Sequence, residues 1–237
     1  MTLPKDSAAE MFERIKRKAP EYIDLLTAEA DADFEAAFTV LLEGAVTHLE
    51  KNKKNYAALK EEGLSGVLAA YLTIPGFTVT QEANSNGHVD LTIVADHCSP
   101  IRTKLGEAKI YRGPSYHVKG IGQLLGRYTT GREKDGLLIN YVRKKDIADI
   151  TTKLKSELDA GLPDGQTGLC TPHILKWSLV TEHQHSSGEK VSVSHIGCNL
   201  YGGLPTVVAK KATVKPKSQT ATAGPSVKQP TAKKAKK

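Results

Sequence analysis

Residues 136–142, GLLINYV, are apolar at nearly every consecutive position. Successive side chains of a strand point to opposite faces, so a run without polar alternation must be covered on both. A sheet packed between helices offers that environment, which places the chain in the α/β class. Candidate helices flank it. Phe34, Phe38, Leu41, Leu42, Ala45 and Leu49 recur at three- and four-residue spacing from Asp31 onward. Leu64, Val67, Leu68 and Tyr71 do so within 56–72, and Ile147, Ile150, Leu154 and Leu158 within 146–158. Helix-like pieces over 6–27 are interrupted at Pro20.

Between these helices lie shorter β-type runs. Phe77–Glu82 alternates as a strand, and Asn84–Gly87 supplies a turn. Val89–Ala95 and Lys104–Tyr111 read as a hairpin joined through Cys98, Ser99 and Pro100. A helix over 117–130 then gathers Ile121, Leu124, Leu125 and Tyr128 on one face. A last hairpin is predicted from His173–Thr181 and Val191–Ile196. Within the first hairpin, Glu107 and Lys109 are two residues apart and share a strand face, with Ala108 on the other. Asp90 opens the facing run, and His88 precedes it by two. An Asp, a Glu and a Lys converging at one place on a sheet make a divalent-metal site with a cation beside it, which suits phosphodiester cleavage. Taken alone, Asp-(x)16-Glu-x-Lys is a loose motif, and its setting between strand and helix gives it weight.

This ordered set, over residues 58–143, resembles the PD-(D/E)xK nuclease superfamily with its restriction-endonuclease-like fold. Asp90 stands at the family's Asp position and Glu107-Ala108-Lys109 at its (D/E)-x-K. Gln123, followed by Tyr128, resembles the Gln-to-Tyr motif of the RecB-like branch, although that branch spaces the two four apart and here they are five apart. Val89 replaces the family's usual Pro. The resemblance implies a mixed central sheet flanked by helices and a Mg²⁺-dependent nuclease, with Mn²⁺ able to substitute. It makes Asp90, Glu107 and the Ala108 carbonyl metal ligands, Lys109 the group that orients water or stabilises the transition state, and Gln123 a positioning group. It also implies a further carboxylate from the helix before the sheet. Glu61 is favoured over Glu62 because it points to the side of Leu64 and Leu68. DNA is the expected substrate, in restriction or antiphage defence. The alternative is a catalytically silent member acting as a nucleic-acid-binding or scaffold protein. Lys119, Arg127, Arg132 and Lys134 add charges that could position phosphates.

The net charge of +7 is unevenly placed: nine lysines and no acid follow Pro205, and without them 24 basic residues face 26 acidic ones. The fold itself is therefore not a broadly basic surface. The sequence divides into a helical region at 1–55, a nuclease-like domain at 56–202 and a Lys-rich tail at 203–237, expected to be disordered for want of large apolar side chains. The first region could pack on the domain, form a homodimer or dock a partner protein. Three cysteines, odd in number and widely spaced, fit free thiols in a reducing cytoplasm. His183, His185, His195 and Cys198 do not make a closed zinc set. No apolar run is long enough for a membrane span, and the first residues lack the apolar core of a secretory signal.

Overall fold

The structure, a computed structural model, describes residues 7–81 and 89–202. The order is α1 (Ala8–Lys18), α2 (Pro20–Thr27), α3 (Asp31–Lys51), α4 (Glu61–Leu72), β1 (Thr78–Thr80), β2 (Leu91–Ala95) and β3 (Arg102–Ile110). After these come α5 (Pro114–Gln123), a π-helical turn (Leu124–Tyr128), β4 (Asp135–Val142), α6 (Ile147–Gly161), β5 (Thr171–Pro172), β6 (Leu179–Gln184) and β7 (Lys190–Asn199). Among the described residues seven strands form a mixed sheet in the order β1-β2-β3-β4-β7-β6-β5. The central strands β3, β4 and β7 are parallel, and the outer pairings are antiparallel.

β4 behaves as its unbroken apolar run requires. Leu137, Ile139 and Tyr141 enter the core under α2, α3 and α4, with Leu25, Phe38, Leu42, Leu68 and Ile93. Leu138 enters the opposite core, with Ile121, Leu124, Leu125, Leu154 and Leu158 of the α5 and α6 side. The described residues thus form three layers, helices covering both sheet faces. α2 and α3 share the first core, so most of the region up to residue 55 is part of the domain rather than an appendage to it. α1 differs: it buries no residue, and Met11 and Phe12 are 62% and 44% exposed.

Several boundaries shift from those the sequence suggests. Residues 52–58 are turns, and α4 begins only at Glu61. The Asn52 amide donates to the His48 carbonyl at 2.9 Å and ends α3 there. The helix predicted from 117 starts earlier, because Pro114 opens α5, where its missing N–H is no loss. His173–Ser178 is not strand: Trp177 turns the chain at φ 58°, and the strand proper starts at Leu179. All three cysteines are buried and unpaired, and no helix among the described residues is long and apolar enough to cross a membrane. Glu82, the Asn84–Gly87 turn, His88 and the tail from 203 lie outside the described residues.

Candidate active site

β2 starts at Leu91, paired with Gly106, so β3 runs past the end of its neighbour. From there to Ile110 the backbone groups on that side of β3 have no strand partner, and buried backbone N–H groups need one. Two carboxylates supply it. Asp90 Oδ2 accepts from the Ala108 N–H at 2.8 Å, and Glu61 Oε2, from the first turn of α4, accepts from the Ile110 N–H at 2.6 Å. Strand residues send N–H and C=O to the same side, so the Ala108 carbonyl opens into this gap as well.

Glu107 and Lys109 project from the other parity of β3, toward α5. Glu107 is 1% exposed and Lys109 8%. The Lys109 ammonium contacts Glu107 Oε1 directly and lies 3.7 Å from Glu61 Oε1, bridging the two acids. Glu107 Oε2 is buried and has no hydrogen-bond partner among the described residues. Burial, aided by the charges of Asp90 and Glu61 and opposed by Lys109, pushes the Glu107 carboxyl up to about 7. Burial also raises Asp90, against the pull of the Ala108 N–H and Lys109. Burial works against the Lys109 ammonium, yet Glu107, Glu61 and Asp90 together raise its pKa.

Asp90, Glu107, Lys109 and Glu61 are therefore brought together as the spacing predicts. Glu61 rather than Glu62 reaches the strand; Glu62 is exposed, and its backbone carbonyl holds the Gln81 amide at 2.5 Å. As they stand, no three His, Cys, Asp or Glu side chains among the described residues are grouped closely enough to hold a metal ion. The Lys109 ammonium takes the central position instead. The pair Asp90 and Glu107, with an orphaned carboxylate oxygen and the nearby Ala108 carbonyl, fits a hard divalent cation of the Mg²⁺ type once Lys109 gives way.

Lys109 opens on its other side into a groove of about 420 Å³ lined by Tyr116, Lys119, Gly122, Gln123 and Arg127. α5 can lie this low because Gly120 faces the sheet: a Cβ there would stand 3.0 Å from Leu138 Cδ1 and 3.5 Å from Lys109 Cγ. Gln123, Lys119 and Arg127 are thus beside Lys109. Arg132 is not. It lines a different cavity with Asp31, Arg102 and Lys134, ahead of the start of β4 rather than near the end of β3, so the structure separates it from the groove residues.

The five-residue spacing from Gln123 to Tyr128 is resolved by the π turn. The Thr129 N–H donates to the Leu124 carbonyl at 3.0 Å, five residues back. Five residues of α-helix would carry Tyr128 about 140° round from Gln123. A turn that closes after five residues instead of four absorbs the extra one and returns Tyr128 toward Gln123's side. Tyr128 is half-buried, and its pKa is raised by burial and by the Glu107 and Asp90 charges.

Sequence reasoning missed what fixes α5. His117, fully buried in its second turn, reaches the Asn140 amide of β4 at 2.8 Å and His195 of β7 at 2.7 Å. Thr181 links His195 to His183, each at 2.7 Å, and His183 ends on the Asp164 carbonyl at 3.1 Å. Burial lowers all three histidines, His117 to about 4, so they are neutral. The atom facing His117 Nδ1 is the Asn140 Oδ1, so His117 donates there and its Nε2 accepts from the His195 Nδ1–H. The histidines noted for zinc spend their nitrogens here, and His185 spends its own on Ser187 and the Leu125 carbonyl.

Compared with protein-family models, curated proteins and solved structures, the chain matches none of them.

Proposed function

We propose that the chain is a divalent-metal-dependent nuclease hydrolysing phosphodiester bonds, DNA in the first instance, with restriction or antiphage defence as its setting. The observation that carries this reading is the grouping of Asp90, Glu107 and Glu61 around Lys109 at the head of a cationic groove. Asp90, Glu107 and the Ala108 carbonyl would hold Mg²⁺, or Mn²⁺ in its place, with Glu61 alongside. When bound, the metal supplies Lewis-acid polarisation of the phosphate and a water of lowered pKa. The protein's own groups do the rest. Asp90 and Glu61 hold the unpaired side of β3, so that Glu107 and Lys109 stay in place. To hold the metal Glu107 would give to solvent the proton that burial favours, and a carboxylate shared with the cation would hold Lys109 less tightly. The freed ammonium turns to the groove and stabilises charge growing on the phosphate oxygens. Gln123, Lys119 and Arg127 position the flanking phosphates.

A second reading is a silent nuclease-fold protein that binds nucleic acid without cutting it. It is favoured by the absence, among the described residues, of three metal-type side chains in close array. Incubation of plasmid DNA and single-stranded DNA and RNA with Mg²⁺, Mn²⁺ or EDTA separates the two. Cleavage with metal alone is expected, reduced at least about a hundredfold in Asp90→Ala and Lys109→Ala proteins that remain folded. No cleavage of any substrate, or full activity of Lys109→Ala, refutes the nuclease reading.

A further inference from the structure

The groove beside Lys109 does not end at α5. Arg112, just after β3, lays its guanidinium over the Tyr116 ring at 5.0 Å. Lys144, just after β4, donates to the Arg112 carbonyl at 2.9 Å and sits 5.6 Å over Tyr111. Its neighbour Arg143 donates to the Leu59 carbonyl at 2.5 Å and lines a second cavity of about 240 Å³ with Lys53, Tyr56, Leu200 and Tyr201. These residues follow one rim of the sheet: Arg112, Arg143 and Leu200 each come just after the carboxyl end of a parallel strand. Open α/β sheets bind ligands outside such ends.

General basicity does not account for the row, since residues before Pro205 carry slightly more acids than bases. Neither cavity is lined by an Asp or Glu. Of the acids that act on the row, Glu50 accepts from the Asn199 N–H at 2.7 Å and is drawn by Lys53, and Glu157 bears on Tyr111. Cations alternate with tyrosines along the rim. Tyr201 is 46% exposed.

We propose that this rim is a track for single-stranded nucleic acid, DNA or RNA, running from the Lys109 groove to the Lys53–Tyr56–Arg143–Tyr201 cavity. The proposal rests on the nuclease reading and names the form of its substrate. Lys53, Arg112, Arg143 and Lys144 meet phosphates, and the rings of Tyr116, Tyr56 and Tyr201, unlike the buried Tyr111, take unpaired bases by stacking, the combination that single-strand surfaces use. A duplex keeps its base faces inside its own stack and gains nothing from Tyr201.

The test is binding by the full chain in EDTA, where nothing is cut. The probes are fluorescent strands of about 20 nucleotides in DNA and RNA form, the matching duplex, and a strand of about four nucleotides that cannot span both cavities. Tyr201→Ala should weaken the long strand about fivefold or more. Lys53→Ala and Lys144→Ala should each flatten its salt dependence by about 0.7 in log–log slope. The short strand and the duplex should respond much less, with thermal stability unchanged. The pattern in either DNA or RNA supports the track. If Lys119→Ala weakens binding and the rim variants do not, the track is wrong and the nuclease reading stands. If neither does, the track is wrong, and the nuclease reading is decided by the cleavage assay alone. Equal losses on duplex and single strand overturn the single-strand assignment.

Discussion

Replacing Glu107 by Gln should stabilise the metal-free protein while removing the proposed nuclease activity. The folded carboxyl is pushed up to about 7, against an ordinary value of 4.5. Each unit is worth about 1.36 kcal/mol, so folding favours the neutral form over the ionised one by roughly 3 kcal/mol. The attraction of Lys109 is already included, because that ammonium restrains the rise. A raised folded pKa gives stability that is fully present below about pH 4.5 and lost as pH rises through about 7. Glutamine mimics the neutral form at every pH. At pH 8 in EDTA, Glu107→Gln should therefore be more stable than the parent by about 1–3 kcal/mol in urea denaturation. The gap should close as pH falls toward 4.5, where the parent's carboxyl is itself protonated. A Glu107→Gln protein no more stable than the parent at pH 8, or equally favoured at pH 8 and 4.5, would refute the picture of a charge held against its environment.

Four further outcomes follow from the same geometry. Glu61→Gln keeps an oxygen for the Ile110 N–H but loses its charge, so folding should drop by no more than about 1 kcal/mol while the Mg²⁺ titration of cleavage moves to higher concentration. Glu62→Gln should leave that titration where it is. His117, depressed to about 4 from 6.5, keeps its full contribution above about pH 6.5 and loses roughly 3 kcal/mol as pH falls toward 4, so denaturation midpoints of the Glu107→Gln protein, which lacks the opposing gain from Glu107, should drop across that window. A His117→Gln protein should start less stable and show a shallower fall.

Much of the fold could be read because hydrophobic pattern decides it. GLLINYV is buried on both faces, and the Leu91–Ala95 and Arg102–Ile110 strands pair as the alternation of Glu107 and Lys109 requires. Glu61 was legible for the same reason, since its spacing to Leu64 and Leu68 fixes its side of α4. The π turn at Leu124–Tyr128 was not, because a single extra residue leaves no periodic signature when the apolar stripe continues through it. The buried histidine chain was invisible for another reason. His117 and His195 are 78 residues apart, and nothing local says that β7 returns beside β4 under α5. Arg132 was grouped with Lys119 and Arg127 by closeness in sequence, but the extended segment leading into β4 carries it to the other end of that strand.

The place where β2 stops explains why these acids stand together at all. A shorter β2 leaves the Ala108 and Ile110 N–H groups without ladder partners, and the sequence answers with side chains rather than with another strand. A carboxylate is a stronger acceptor for a buried N–H than a neutral group, so Asp90 and Glu61 hold β3 along its open side. Their charges then help raise Glu107 and keep the Lys109 ammonium between them. Capping the strand and gathering negative charge are thus one arrangement. Extending β2 by two residues, so that ladder carbonyls took over these N–H groups, would make the sheet more regular and free both acids. Glu107 would then face less negative charge and Lys109 would lose its second partner. The site depends on an incompletely paired strand.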